Sequence, residues 1–409
     1  MLSKFDKYVN LIKDTKDEKD YSIYTQIIKN ERIKRNQTLE SMAKGICSIS
    51  YLSKMENNAI KPSEEYVKAL LERVDVNYDE IIDDDYDLEV KKVIKYYFYN
   101  ENDKIREAYL KNKKNHFDAR LELIGSLVDL IDNRFNDFKE KISEIDEVKN
   151  VLKGINSVFL VYLVSEYYIK NYEFKRGYYY LKCLDELNID NYEMKRLIDE
   201  SLLYIGVILK KYPLVYKKYQ EIRNNEILGY PTTRKNKNKL LVSYIETEEF
   251  NKEYLQLDFI DIESIVNKND MILYIVLLIF IKKHDYYKAL NFINENNIID
   301  NKSLLSLYGL IAYYLNDEKL KEKFLKCLDE YELDEVCIYD YFLKFLKMKF
   351  DSDDSYQLFE YLRYLVIPYL NDHDDYILSD ILKKKYVEML IKLSRYKEAT
   401  LFLCEYQNN

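Results

Sequence analysis

A short polar segment between Thr38 and Ser63 has the spacing of two consecutive helices. In the second helix, Leu52 and Met55 lie three residues apart and therefore share one face. The polar residues then occupy the remaining faces, where hydroxyl and ammonium groups can hydrogen-bond to base edges or phosphate oxygens in a DNA groove. The residues expected to make such contacts are Ser48, Ser50, Tyr51 and Lys54.

The same segment contains the residues that begin and end two helices joined at a sharp angle. Thr38 and Ser48 have side chains that cap helix N termini, and Gly45 between them breaks the first helix. Asn57 and Asn58 mark the end of the second helix, because Asn tolerates the left-handed backbone conformation. The residues of the first helix that should face inward are Leu39, Met42 and Ala43.

This arrangement resembles the helix-turn-helix of the Cro/C1 type. More narrowly, residues 45–48, 51–57 and 61–63 are similar to the DNA-binding domain of the RRNPP quorum-sensing regulators, the group of Rap, Rgg, NprR, PlcR and PrgX. Two residues depart from that pattern. Ile49 stands where relatives often carry a polar base-reading residue such as Gln, and Asn58 stands where Gly is common.

The charge distribution favours a DNA-binding domain at residues 22–74. This range holds nine Lys or Arg and six Asp or Glu, a balance of +3 in a chain of net charge −9, so the remainder sums to −12. An acidic remainder repels DNA everywhere except at this end of the chain. Phosphate contacts, which give affinity and salt dependence without much sequence information, are expected from Arg35, Lys44 and Lys61. The alternative is that these residues form only a small helical packing domain.

Two segments flank this domain. Residues 1–21 are expected to form a short amphipathic helix, whose apolar residues at helical spacing are Leu2, Phe5, Val9 and Ile12. Residues 75–90 contain eight acidic residues and no basic residue, which predicts a linker between domains. We interpret these acids as a solvated connection. The alternative is that they repel DNA phosphates and orient the DNA-binding domain.

Residues 91–409 repeat a pattern in which an aromatic residue precedes an alanine by three positions. Tyr286 with Ala289 and Tyr396 with Ala399 are the clearest examples. Equivalent positions follow at steps of 30 to 40 residues, near the period of tetratricopeptide repeats, and are Ile105, Phe135, Phe174, Tyr212, Phe250, Tyr286, Leu320, Tyr356 and Tyr396. A hairpin of this length cannot bury its apolar face alone, so about nine of them should stack into a right-handed, tetratricopeptide-like superhelix with a concave groove.

Composition predicts an all-α, cytoplasmic protein. Seven Gly and four Pro in 409 residues leave few positions for β-turns. The five cysteines are scattered and include no Cys-x-x-Cys pair, which fits a reducing compartment. The longest apolar run, Met271 to Ile281, is too short to span a bilayer, so no membrane contact is expected. The least regular stretch, Gly229 to Lys239, is interpreted as a basic loop.

The sequence offers no arrangement of residues suited to catalysis. Its three histidines, His116, His284 and His373, do not stand in a metal-binding spacing, and there is no Gly-rich phosphate loop. Paired acids such as Asp353 and Asp354 are expected by chance among 72 acidic residues. We therefore expect a protein that is not an enzyme and that needs neither a cofactor nor a metal ion.

The 43 Tyr and the absence of Trp suggest a second binding surface. Most of the rings should pack between helices, and the remainder could line an aromatic groove for a short extended peptide. In the RRNPP family the concave face of the repeats binds a re-imported signalling peptide, and Asn side chains hold its backbone. The resemblance implies the same here, with candidates on the inner helices at Asn156, Tyr162, Tyr204, Tyr244 and Tyr274.

The resemblance also implies a homodimeric transcription regulator whose two DNA-binding domains meet half-sites roughly 34 Å apart, or at a multiple of that distance. Regulators of this group govern processes such as sporulation and virulence. Two alternatives stay open: a Rap-like protein whose repeats bind a regulatory protein, and a DNA-bound scaffold whose repeats bind a protein and no peptide.

Overall fold

The computed structural model describes residues 22–57, 59–78, 86–112, 117–147, 152–227, 229–250, 270–296, 301–351, 355–372 and 378–408. Within these ranges the chain forms helices and turns and no strand, which confirms the all-α prediction. The helix expected in residues 1–21 lies outside the described residues. No helix in the described ranges is both long and apolar enough to cross a membrane. The chain divides into two compact units, Met1–Ser201 and Leu202–Asn409.

Four short helices form the first part of the chain. They are α1 (Ser22–Lys34), α2 (Leu39–Ala43), α3 (Ile49–Glu56) and α4 (Glu64–Arg73). The side chains of Thr38 and Ser48 cap α2 and α3, accepting hydrogen bonds from the backbone N–H groups of Ser41 and Tyr51 at 3.1 Å each. Both predicted caps are therefore confirmed.

The core between these helices is small. Its fully buried residues are Ile27, Ile28, Met42, Ala43, Leu52, Met55, Val67, Leu70, Leu71 and Val74. The inward positions predicted for α2 and α3 are confirmed, with Leu39 half-buried against the same core. The predicted end of α3 at Asn57 is also confirmed. Asn57 has φ −99°, which is not left-handed, and donates its side-chain N–H to the Ser53 carbonyl at 2.9 Å, while Asn58 lies outside the described residues.

A buried ion pair ties α1 to the end of α3. The Arg32 guanidinium donates two hydrogen bonds to the Glu56 carboxylate at 2.7 and 2.8 Å, and a third to the Gln37 carbonyl at 2.9 Å. The Glu56 side chain is only 4% exposed. The hydrogen bond from Arg32 to Glu56 raises the pKa of Arg32.

The turn between α2 and α3 is fixed from two sides. Gly45 has φ +77°, a conformation that residues with a Cβ atom rarely adopt, while an added Cβ atom would contact nothing within 4 Å. Arg73, at the end of α4, donates to the carbonyls of Met42 at 2.9 Å and Lys44 at 2.6 Å. These carbonyls close α2 and would otherwise lack partners. The turn that places α3 therefore depends on a residue from a later helix.

The rest of the described chain consists of paired helices. In the first unit these are α5 (Tyr86–Phe98), α6 (Asn102–Asn112), α7 (Ala119–Ile131), α8 (Phe135–Glu147), α9 (Gly154–Lys170) and α10 (Phe174–Asp185). The helix α11 (Tyr192–Ile208) contains the boundary between the units. The first helices of successive pairs pack side by side, as α5 does with α7 and α7 with α9.

The second unit continues the same arrangement. Its helices are α12 (Tyr212–Asn224), α13 (Thr232–Phe250), α14 (Asp270–Lys282), α15 (Tyr286–Asn296), α16 (Lys302–Leu315), α17 (Glu318–Leu328), α18 (Ile338–Asp351), α19 (Ser355–Tyr361), α20 (Ile367–Asp372), α21 (Ser379–Lys392) and α22 (Tyr396–Asn408). A π-helical turn, Leu362–Val366, joins α19 to α20. Here too α14 packs on α16, and α16 on α18.

The two helices of most pairs are joined by a left-handed residue. These residues have φ between 51° and 62° and are Asn100, Asn133, Tyr172, Lys210, His284, Asn316 and Ser394. In five of the turns the left-handed residue lies two positions before the aromatic residue that the repeat pattern predicted, as Tyr172 does before Phe174. The following N–H group returns to a carbonyl of the preceding helix, for example from Glu173 to Tyr168 at 2.8 Å.

Two predictions about the repeats are wrong. Phe250 was expected to begin a helix but is the last residue of α13. The stretch Gly229 to Lys239 is not a basic loop, because α13 begins at Thr232 and includes its lysines. This segment is helical because Leu240, Leu241 and Tyr244 are buried and α13 packs on α14. Local turn propensity does not include such packing.

We expect Glu56→Ala to destabilise the α1–α4 domain by about 3 kcal/mol, because it leaves the Arg32 guanidinium without its partner in a largely buried site. Hydrogen exchange of the α1 and α3 amides in the full chain measures this local stability. Replacing both residues, Arg32→Leu with Glu56→Leu, should recover most of this stability. A double variant as labile as the single one would contradict this explanation.

We expect Gly45→Ala to cost about 1 kcal/mol in the same exchange measurement, because the added methyl group meets no neighbour and only the backbone conformation is penalised. The matched variant Gly45→Asn should lose less, since Asn adopts the left-handed conformation more readily. Equal losses in the two variants would argue against a backbone origin.

Candidate DNA-binding surface

The helix α3 presents one buried face and one exposed face. Leu52, Met55 and Glu56 are buried, and the opposite side carries Ser50 and Lys54, both exposed. Ile49, the first residue of the helix, is 48% exposed although it is large and apolar. Two of the predicted base-contacting residues, Ser50 and Lys54, therefore lie where a DNA groove could reach them.

The side-chain oxygen atoms of Ser48 and Tyr51 already accept hydrogen bonds from backbone N–H groups of the same domain. The Ser48 hydroxyl oxygen accepts the N–H of Tyr51, and the Tyr51 hydroxyl oxygen accepts the N–H of Ser63 at 2.9 Å. The Tyr51 ring also packs edge-on against Tyr66, with the centroids 5.1 Å apart. Each hydroxyl keeps one O–H to donate, so either can still contact DNA, but its position is set by the bond it accepts.

The predicted phosphate-binding residues differ in their surroundings. Lys44 and Lys61 are exposed. Arg35 is exposed as well, and it pairs with Asp75 at 2.9 Å and donates to the Val74 carbonyl at 2.6 Å. Arg35 therefore joins the end of α1 to the end of α4, and a phosphate contact would have to compete with these bonds.

All five predicted peptide-contacting residues are buried, on the first helices of their pairs. The amide of Asn156 donates to the Asp87 carboxylate at 2.7 Å. The Tyr162 hydroxyl lies 3.5 Å from the Ser201 hydroxyl, and the Tyr274 ring packs edge-on against Tyr339. Tyr204 lies under the Lys237 ammonium, and Tyr244 is 1% exposed. The structure therefore does not place these residues on an open groove.

A polar network around Asn156 was not foreseen from the sequence. Asp87, in the first turn of α5, accepts hydrogen bonds from Asn156 and from Arg120 at 3.2 Å, and Arg120 also pairs with buried Asp118 at 2.9 Å. The adjacent Phe117 ring lies 5.7 Å from the ammonium of Lys34 in α1. The network thus joins α5, α7 and α9 beside a contact to α1. The residues of this network are far apart in the chain, and no local sequence motif predicts that they interact.

The described residues contain no group of three or more His, Cys, Asp or Glu side chains placed to hold a metal ion.

Comparisons with known proteins identify the first part of the chain. The family HTH_3, described as helix-turn-helix, matches residues 28–81, a range that includes α2, α3 and α4 and most of α1. A search of curated proteins finds no match.

Two solved structures match this chain with low sequence identity and low TM-scores. One is PlcR of Bacillus thuringiensis in complex with the peptide PapR7 and DNA, at 16% identity, covering 80% of this chain and 96% of that chain with a TM-score of 0.26. The other is a point mutant of PrgX, at 15% identity, covering 74% of this chain and 99% of that chain with a TM-score of 0.25. Scores this low do not establish a common overall structure.

The geometry of α1–α4 and the family match agree on the same residues, with capped helices on either side of a left-handed glycine and an exposed face on the second of them. The chain therefore carries a helix-turn-helix DNA-binding domain of the HTH_3 family at residues 28–81, followed by paired helices that form a repeat domain.

Proposed function

We propose that this protein is a transcription regulator of the RRNPP type, in which a short signalling peptide bound by the repeats controls DNA binding by the helix-turn-helix. The observation that carries the proposal is the exposed face of α3, with Ser50 and Lys54 pointing away from the core, in a domain that matches a DNA-binding family. The protein acts by binding and catalyses no reaction. By resemblance, its target genes include those of sporulation or virulence.

Charge supports the DNA-binding part of this proposal. Lys44, Lys54 and Lys61 are exposed in and beside the helix-turn-helix, where they can neutralise phosphates. Because residues outside 22–74 carry a balance of −12, DNA is attracted to this end of the molecule and repelled elsewhere.

Asn156 is the strongest of the peptide-contacting candidates. Its amide N–H group is used by Asp87, while its side-chain oxygen has no hydrogen-bond partner among the described residues, although the side chain is buried. A buried acceptor without a donor is costly, and a peptide backbone N–H would satisfy it. Because this residue and the four tyrosines are buried, a peptide would reach them only in an arrangement where the helices have separated, and binding would favour that arrangement.

The network around Asn156 offers a route from peptide to DNA-binding domain. A displacement of α9 would act on Asp87, which lies in the acidic linker segment at the start of α5, and on Arg120 beside the Phe117–Lys34 contact to α1. In this way a peptide bound at α9 would change the placement of the helix-turn-helix. The peptide acts only through its preference for one arrangement over the other.

A second candidate function, binding of a protein through the repeats, is favoured by the surface of α22. Tyr396 is 61% exposed and Leu401 is 55% exposed, and large apolar side chains exposed together on one helix are typical of a protein-binding surface. We assign this surface to pairing of two copies of the chain, which would bring two helix-turn-helix domains to one operator. A Rap-like protein or a scaffold would instead use it for a different protein.

We expect Lys54→Ala to weaken binding of the full chain to its operator DNA and to reduce the slope of log affinity against log salt by about 0.9 for each phosphate interaction removed. Fluorescence anisotropy at several salt concentrations measures both quantities. Lys326→Ala, which removes an exposed lysine of the repeat domain, is the matched control and should change neither. An unchanged slope in Lys54→Ala would exclude a phosphate contact for Lys54.

We expect a small-peptide fraction of culture fluid from the producing bacterium to raise the melting temperature of the wild-type protein, because a ligand of the native state stabilises it. Asn156→Ala should abolish the increase. Asn171→Ala, at the C-terminal end of the same helix, should retain it. No increase in the wild type would count against peptide binding, and an equal increase in Asn156→Ala would remove Asn156 from the site.

A further inference from the structure

We infer that Ile49 reads the C5-methyl group of a thymine in the major groove and thereby sets part of the sequence specificity of this protein. The inference rests on the proposed DNA-binding function and names a specificity determinant within it. The Ile49 side chain is large and apolar, and nearly half of it is exposed to solvent.

Ile49 is a large apolar side chain exposed at the start of α3. Among the described residues of the helix-turn-helix, the exposed large apolar side chains are Ile49, at 48%, and Tyr66, at 37%. The Tyr66 ring packs against Tyr51. Ile49 lies between two exposed serines at the start of α3. Covering its side chain with another apolar group is therefore favourable on binding.

The polar side chains next to Ile49 are held in place by hydrogen bonds within the domain. The Ser48 and Tyr51 oxygens accept backbone N–H groups of their own domain, which limits the directions in which these side chains can turn. Ile49 has a branched Cβ atom, and in a helix such a side chain keeps nearly one rotamer. Its methyl groups are consequently presented in a fixed direction at low entropic cost.

DNA is the occupant that the surroundings of Ile49 favour. The residues at the N-terminal end of the second helix of a helix-turn-helix are those that contact base edges. Exposed Lys44, Lys54 and Lys61 lie in the same segment of the chain and suit a polyanion better than an apolar protein surface. In the major groove, the apolar group on a base edge is the C5-methyl group of thymine, so an isoleucine at this position selects thymine over the other bases.

Deoxyuridine provides the test, because it differs from thymidine only by the missing methyl group. The operator is first obtained by selection of a random duplex library on the full-length protein, and each thymine is then replaced in turn by deoxyuridine. At the thymine under Ile49, we expect affinity to fall about fourfold in each half-site, the value for one buried methyl group. Other thymines should show ratios near one.

Variants assign the effect to the side chain. Ile49→Ala should bind thymine and deoxyuridine operators equally, while Ile49→Val should keep most of the ratio. Leu110→Ala, which removes an exposed large apolar side chain of the repeat domain, is the matched control and should leave the ratio unchanged. Because Ile49 and Leu110 are both exposed, the variants are expected to fold, which circular dichroism melting checks.

The outcomes separate this inference from the proposed function. If selection enriches no sequence, the protein is not a sequence-specific DNA binder and both fail. If a sequence is enriched but no thymine shows a ratio above one, or the ratio survives in Ile49→Ala, DNA binding stands and the role of Ile49 is overturned. A ratio of about fourfold at one position that disappears only in Ile49→Ala establishes it.

Discussion

A pair of helices of this length has more apolar surface than the pair alone can cover, and the repeat domain depends on this constraint. The helices α7, α9 and α16 are buried on nearly every side, because each is packed on its own partner and on the first helices of neighbouring pairs. No pair is stable by itself. A change at one interface therefore alters the packing of the next pair.

The helix-turn-helix has a small apolar core, which consists of only ten fully buried residues. Polar contacts between distant residues supplement that core. The Arg32–Glu56 pair fixes α1 against α3, and Arg73 holds the carbonyls that end α2. These bonds keep the two helices at the angle that exposes one side of α3. The rigidity of the exposed α3 surface thus depends on side chains that do not belong to that surface.

The features that sequence predicted well were local ones. Capping by Thr38 and Ser48 and the inward positions of α2 and α3 depend on residues within one turn of each other, and all were confirmed. The contacts of Arg32 with Glu56 and of Arg73 with the carbonyls of α2 link residues at least 24 positions apart and have no local pattern. For a similar reason, the sequence could not distinguish tyrosines that pack between helices from tyrosines that line a groove. Periodicity identified their helices, but α9 and α11 are covered on almost all sides, so a face that looks inner in sequence is also packed.

The left-handed turns of the repeats have a consequence for how such a chain diverges. The conformation at the turn recurs from pair to pair, while the residue that adopts it changes among Asn, Tyr, Lys, His and Ser. The repeats thus share the backbone conformation of the turn and the spacing of the helices more than they share residue types. Substitutions can accumulate at these turns without shifting the register of the helices, so two repeat domains built in this way can lose recognisable sequence similarity long before they lose a common architecture.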